Sequence, residues 1–408
     1  MAGSVQLDDA RNIYGLYSAR KTMCKLRVSP EGRPRVDEVR NRRDAGRIPG
    51  YPPTMDFDRE HRCRAGPARD ARCGGRATVL PITRSLPFEP PYAWDAMLGF
   101  LAARAIPRVE AVIDGCYLRV ISLDEVRGWI RVCRAPRANA LRVTIDFASV
   151  QALPVIVRRL RNMFDLDSDP AVIAAHLAGD AHLAQLVAAR PGLRVPGTWD
   201  NFELATRAIL GQQVTLHAAR ALAGKLAARC ATRVTPQVDS PFAELDRAFP
   251  SAQQVASVTD IAGALGMPRA RASALQGLAR ATLADPRLLE PGRGLEESVA
   301  RLRAMPGFGE WTAHYVSMRA FREADAFPAS DIGLQRACAV SGVRPSAKQL
   351  RARSEPWHPW RAYAALHLWT ADAMDGAARE NPGNGLGAGT AADPRHRGPS
   401  RHGRRVSP

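Results

Sequence analysis

The chain has 408 residues, room for two or three domains, and its 46% hydrophobic content excludes a wholly disordered polymer. A formal charge of +18 makes a polyanion, nucleic acid first, the expected partner, although an arginine-rich composition with basic tails would give the same excess. No apolar run approaches the ~20 residues a bilayer span needs. The first ten residues lack a basic segment leading into an apolar one, so no secretory signal is expected. The cysteines at positions 24, 63, 73, 116, 133, 230 and 338 are scattered and odd in number, which predicts no disulfide framework and a reducing cytoplasm.

Residues 1–83 are rich in Arg, Asp, Gly and Pro and read as a mostly disordered extension. From Leu86 the texture changes. The proline-rich LPFEPPYAW leads into DAMLGFLAARAI, where Met97, Leu98, Leu101 and Ile106 fall on one helical face. The segments AVIDGCYLRVI, GWIRVCRA and NALRVTIDF have the β-branched, roughly alternating character of strands, so residues 84–155 predict a small α+β domain on an antiparallel sheet. Residues 156–372 read as helices, among them the long periodic stretch NFELATRAILGQQVTLHAARALAGKLAARC. Asp200 is its expected N-cap, with Glu203 in the capping-box position. Pro170 and Pro241 suit helix starts, and Pro291-Gly292 a break. The expected architecture is a two-lobed helical domain with a cleft, followed by a disordered basic tail over 373–408.

The informative stretch runs from Leu302 to Gln335. Met305-Pro306-Gly307-Phe308-Gly309 is a tight turn between two helical patterns, in which the glycines permit steep turning and leave amides uncovered. Those amides, with the first amides of the next helix, suit a DNA phosphate, which describes a helix-hairpin-helix docking on backbone without reading sequence. Asp331 follows Pro328 and Ser330 where a helix N-cap would sit. Capping and catalysis are both open to it, and they can coexist.

Met305 to Tyr315 matches the pattern LPGIGxWTAxY, and Phe327-Pro328-Ala329-Ser330-Asp331-Ile332-Gly333-Leu334-Gln335-Arg336 matches FPxxDxxLxR. With Leu86-Pro87-Phe88, Pro91-Tyr92, Trp94-Asp95, RAILGQQV within Phe202–Val214, and Trp360-Arg361-Ala362-Tyr363 ending at His367-Leu368-Trp369, the chain resembles the helix-hairpin-helix DNA glycosylase superfamily over residues 84–372. Within it, the branch resembled is the bacterial 3-methyladenine DNA glycosylase II. The resemblance implies hydrolysis of the N-glycosidic bond of alkylated bases in double-stranded DNA, with Asp331 as the catalytic carboxylate. Such a carboxylate stabilises positive charge developing on the sugar and orients or deprotonates water.

The resemblance carries further expectations. Trp311 stands where strand-cutting relatives carry a lysine, and tryptophan cannot form a Schiff base, so no lyase activity is expected. An aromatic wall also suits a cationic alkylated purine. Trp311, Tyr315, Trp369 and Tyr92 are the expected base-pocket residues, with Phe88 and Trp94 near the same cleft and Trp357 and Trp360 in the core. The pocket receives an extruded nucleotide. Met305, Gly307, Phe308, Gly309 and Thr312 are expected to bind DNA. Gln213 is expected to fill the gap left by the flipped base where a bulky apolar wedge is usual, and Gln212 to support its loop.

Met55-Asp56-Phe57-Asp58 and Ala68 to Arg76 resemble the start of a zinc-binding methyl-phosphotriester module. Cys24, Cys63, Cys73 and His61 make no paired metal site, so neither zinc nor methyl transfer is expected. Cys338 alone gives no iron–sulfur pattern. No cofactor is expected beyond a possible monovalent cation held by carbonyls of Met305 to Phe308. A monomer without membrane association or obligate protein partner is expected. The alternatives are an oxidised-guanine glycosylase, which a panel of methylated and oxidised bases would distinguish, and a catalytically silent damage-binding protein.

Overall fold

A computed structural model describes residues 81–123, 126–230, 244–292 and 294–380, the side chains of the last helix as far as Met374. The remnant phrases at 55–58 and 68–76, Cys24, His61, Cys63, Cys73, Pro241 and nearly all of the two terminal extensions lie outside the described residues.

In chain order the elements are β1 (Ile82–Pro87), α1 (Trp94–Arg104), β2 (Glu110–Ile113), β3 (Cys116–Leu123), β4 (Val126–Arg134), β5 (Ala140–Phe147), α2 (Leu153–Phe164), α3 (Pro170–Leu177), α4 (Ala181–Ala189), α5 (Asn201–Leu210), α6 (Leu216–Cys230), α7 (Ala252–Ala256), α8 (Ile261–Leu265), α9 (Arg269–Ala284), α10 (Leu295–Arg303), α11 (Glu310–Arg319), α12 (Ile332–Ala337), α13 (Ala347–Arg353) and α14 (Arg361–Glu380). The five strands form one antiparallel sheet in the order β1-β5-β4-β3-β2. The alternation legible in the sequence sets its faces. Tyr117, Ile121, Ile130, Val132, Leu141, Val143 and Ile145 line the face that α1 and α2 cover. Gly128 is obligatory in β4, because a Cβ there would stand 2.0 Å from Asp146 O.

Three features depart from expectation. First, α2, expected in the helical domain, gives Ile156, Leu160, Met163 and Phe164 to the sheet core, which extends to Trp199. The amphipathic period of α2 is the same whichever partner covers it. Second, the periodic run from 201 to 230 is two helices, broken at Gly211 to Thr215, with Gln213 at φ +57°. Asp200 does cap α5 through Glu203 N at 3.0 Å, but the buried Glu203 carboxylate turns to Arg119 and Arg207 and does not complete a capping box. Third, Cys116 and Cys133 are facing partners on β3 and β4, joined as a disulfide and covered by Leu245, against the expectation of none. Their spacing in sequence gave no sign that register would place them opposite each other.

The helices form two further cores. One gathers α5 to α11 around Ile209, Leu226, Leu275, Leu278, Leu302 and Val316; the other gathers α3, α4 and α12 to α14 around Leu183, Leu334, Leu350, Trp357 and Leu368. Tyr315 packs against both, so the seam between the lobes runs along α11. No helix among the described residues is long and apolar enough to cross a membrane.

Candidate active site

Asp331 is the N-cap of α12, its Oδ1 accepting from Leu334 N at 3.0 Å. It is also the meeting point of two indoles. Trp311 Nε1 on α11 donates to Oδ2 at 2.7 Å, and Trp369 Nε1 on α14 donates to Oδ1 at 2.8 Å. All three partners are N–H donors, the complement an acceptor-only carboxylate requires. The residue is only 4% exposed. Gly333 keeps the site open, since a Cβ there would crowd Asp331 Oδ1 at 3.0 Å and Trp369 Cδ1 at 3.3 Å. The cap and the acceptor of both indoles are thus one group.

From Trp311 the aromatic wall continues. Its ring stacks on Tyr315 one helical turn on, centroids 4.9 Å apart and planes 11° from parallel. Tyr315 Oη accepts from Arg319 Nη1 at 2.6 Å. Burial pushes the Tyr315 hydroxyl up, but Arg319 and Arg104 outweigh it and hold it below the ordinary tyrosine range. Arg319 then stands over the Phe100 ring at 4.7 Å, and Arg104 over the same ring at 3.8 Å. Phe100, Arg104 and Arg319 were missed by the sequence reading. The available signal was an aromatic followed four residues later by arginine, which occurs on α1 as Phe100/Arg104 and on α11 as Tyr315/Arg319.

Tyr92 corrects the expected pocket. Its hydroxyl donates to Phe164 O at 2.7 Å, and its ring sits between Phe88 and Trp94 in the sheet core, where burial above all pushes the hydroxyl well up. Phe88 and Trp94 share that core, and the Trp94 indole donates to Gly115 O at 3.2 Å. Trp357 lies in the second helical core and Trp360 packs against it, as read.

The hairpin joins α10 to α11. Gly307 adopts φ +84° with room for no Cβ, which would stand 2.5 Å from Ala274 Cβ. Gly309 caps α11 without any side-chain hydrogen bond, leaving the helix's first amides for a ligand. Phe308 and Thr312 are themselves buried. Gln212 Nε2 bridges the α5–α6 turn to the hairpin, donating to Gly307 O at 2.8 Å and Thr312 Oγ1 at 3.3 Å. Gln213 is exposed at the tip of that turn. Met305 O accepts from Phe308 N at 3.1 Å, and since a carbonyl has two lone pairs, it and Gly307 O retain capacity that fits a monovalent cation. No group of three or more His, Cys, Asp or Glu side chains suited to a metal occurs among the described residues.

A capped carboxylate one helix beyond an amide-lined hairpin defines a class of fold, and comparison with known proteins agrees. Residues 83–200 match the family described as AlkA N-terminal domain, and residues 206–359 match the HhH-GPD superfamily of base excision DNA repair proteins. The chain is 36% identical over 286 residues to the DNA-3-methyladenine glycosylase 2 of Escherichia coli, covering 70% of this chain and 96% of that protein. It therefore belongs to the AlkA family within the HhH-GPD superfamily. It is also 38% identical over 296 residues to a probable bifunctional transcriptional activator/DNA repair enzyme AlkA of Mycobacterium tuberculosis, with 72% of this chain covered, and it spans only 58% of that relative's length. Among solved structures, a 3-methyladenine DNA-glycosylase from Archaeoglobus fulgidus shares the fold, with a TM-score of 0.61, 23% identity, and coverage of 72% of this chain and 98% of that one.

Proposed function

We propose that this protein hydrolyses the N-glycosidic bond of alkylated bases, such as 3-methyladenine, in double-stranded DNA and so initiates base excision repair. The observation that carries the reading is Asp331, held between two indole N–H groups beside a hairpin with free amides. Hairpin amides grip the phosphate, the lesion is extruded, and its base enters beside Trp311 and Tyr315, whose π faces attract a cationic purine. Asp331 stabilises the positive charge that develops on the sugar as the base departs, and it orients the attacking water. Gln213 occupies the gap and hydrogen-bonds the base left without a partner.

The activity is monofunctional, because Trp311 offers no amine for an imine with the sugar. A monovalent cation, where bound, would sit on the Met305–Phe308 carbonyls and add positive charge facing a phosphate; no step depends on it. The protein acts in the cytoplasm as a monomer, without a redox cofactor or obligate protein partner.

Asp331→Asn tests the reading. Base release from methylated duplexes should fall by roughly a thousandfold or more while binding to the same DNA persists. Undiminished turnover would defeat the mechanism. Borohydride trapping with the unaltered protein should yield no covalent complex, and Trp311→Lys should lose base release without gaining strand cleavage, since the amine would be misplaced.

A further inference from the structure

Arg319 ends α11 and is buried, 7% exposed as a residue. Its hydrogen bonds go to neutral oxygens: Nε to Pro196 O at 2.7 Å, Nη2 to Gly197 O at 2.9 Å, and Nη1 to Tyr315 Oη at 2.6 Å. The buried Arg119, by contrast, faces Glu110 and Glu203. An arginine stays protonated in a protein, so Arg319 keeps a full positive charge where water is scarce. Among the described residues no carboxylate pairs with Arg319, and a buried charge without a counter-charge is costly, so a fold retains one for a reason. Arg194 is also buried on neutral oxygens, but its partners are backbone carbonyls of the sheet-domain loops and Ser168. Arg319 alone of the two reaches into the aromatic wall, its guanidinium 5.3 Å from the Tyr315 centroid and 4.7 Å from that of Phe100.

We infer that Arg319 is a specificity-determining residue whose buried positive charge favours release of neutral lesion bases, which depart as anions, over cationic alkylated bases, which depart neutral. The inference rests on the glycosylase reading above. In either reaction the bond from C1′ to the purine N9 breaks with its electron pair going to the base. A water oxygen then bonds C1′, and one water proton is released. A neutral base carries negative charge until it takes up that proton, and a fixed positive charge beside it lowers the barrier. A cationic base meets the same charge as repulsion on entry, and it has none left to stabilise on exit.

The test compares duplexes carrying hypoxanthine, a neutral lesion, with duplexes carrying 7-methylguanine, a cationic one, under single turnover. The full chain and its Arg319→Lys, Arg319→Gln and Arg319→Met variants are used. In Gln and Met, kcat/KM for hypoxanthine should fall about tenfold further than for 7-methylguanine, while half-saturation by the 7-methylguanine duplex tightens. Lys, which keeps the charge, should hold the ratio between the two lesions within about threefold of the parent. Equal losses on both lesions in Gln and Met would overturn the inference. So would folding of Lys with failure of both neutral variants to fold, which would make Arg319 a scaffold residue like Arg194. Release of neither these two bases nor 3-methyladenine by the unaltered protein would refute the glycosylase reading itself.

Discussion

Asp331 shows how one side chain ties three helices together. As a cap it fixes the start of α12, and as an acceptor for Trp311 and Trp369 it is held at the meeting of α11 and α14. Trp369→Phe removes one charge-assisted hydrogen bond while keeping an aromatic ring. A bond of that kind is worth about 1.5–3 kcal/mol, so base release should slow by roughly ten- to a hundredfold in kcat, measurable under single turnover. The meeting of Asp331 and Trp311 was legible because hairpin, helix and carboxylate follow one another in a single stretch. Phe100 and Arg104 reach the same wall from α1, far away in sequence, and only the fold brings them there. Tyr92 was misplaced for the converse reason: an aromatic beside prolines suits a cleft or a core equally, and Phe164 O decided for the core.

At the scale of elements, the α5–α6 turn and the hairpin form one edge, tied by Gln212 to Gly307. Gly307→Ala puts a methyl group against Ala274 in a left-handed conformation and should cost about 1–3 kcal/mol in denaturant unfolding. It should also weaken DNA affinity, because the hairpin amides move. Gln213→Gly separates stability from function. Relief of the left-handed strain at φ +57° should leave stability within about 1 kcal/mol of the parent or slightly higher. Loss of the amide should still reduce base release, which a duplex lacking the partner base would restore. Apolar periodicity continues through the α5–α6 turn, so the helical pattern alone ran α5 and α6 together; only the resemblance pointed to a loop at Gln212-Gln213, although Gly211 marks the place. Strand β1 was hidden for a similar reason, its end merging into the proline-rich LPFEPP. The hairpin, dense in Pro and Gly, was plain.

For the whole molecule, a buried cluster of charges joins the sheet to the helical lobe. Arg119 of β3 pairs with Glu110 at 3.0 Å and with Glu203 of α5, and Arg207 pairs with Glu203 at 2.8 Å and with Glu110. Burial alone would push the Glu110 carboxyl up, but Arg207 and Arg119 outweigh it and bring it down to about 2. Its contribution to stability is therefore complete above the ordinary carboxylate value and is lost as pH falls from there toward 2. His367 on α14 acts earlier. Burial first, then Arg190, lowers its pKa to about 4, so the folded protein holds it neutral while the unfolded chain protonates it near 6.5. Between those values the unfolded state binds the extra proton, so stability falls as pH drops from 6.5 to about 4, by about 3 kcal/mol from this group at most. Two windows should therefore appear in a plot of unfolding free energy against pH. His367→Gln should make the slope from 6.5 to 4 shallower, with a remainder from His314 and His182, which burial also lowers, and leave the window below 4.5 intact. An undiminished upper slope in that variant would place its main titrating group at those two histidines instead.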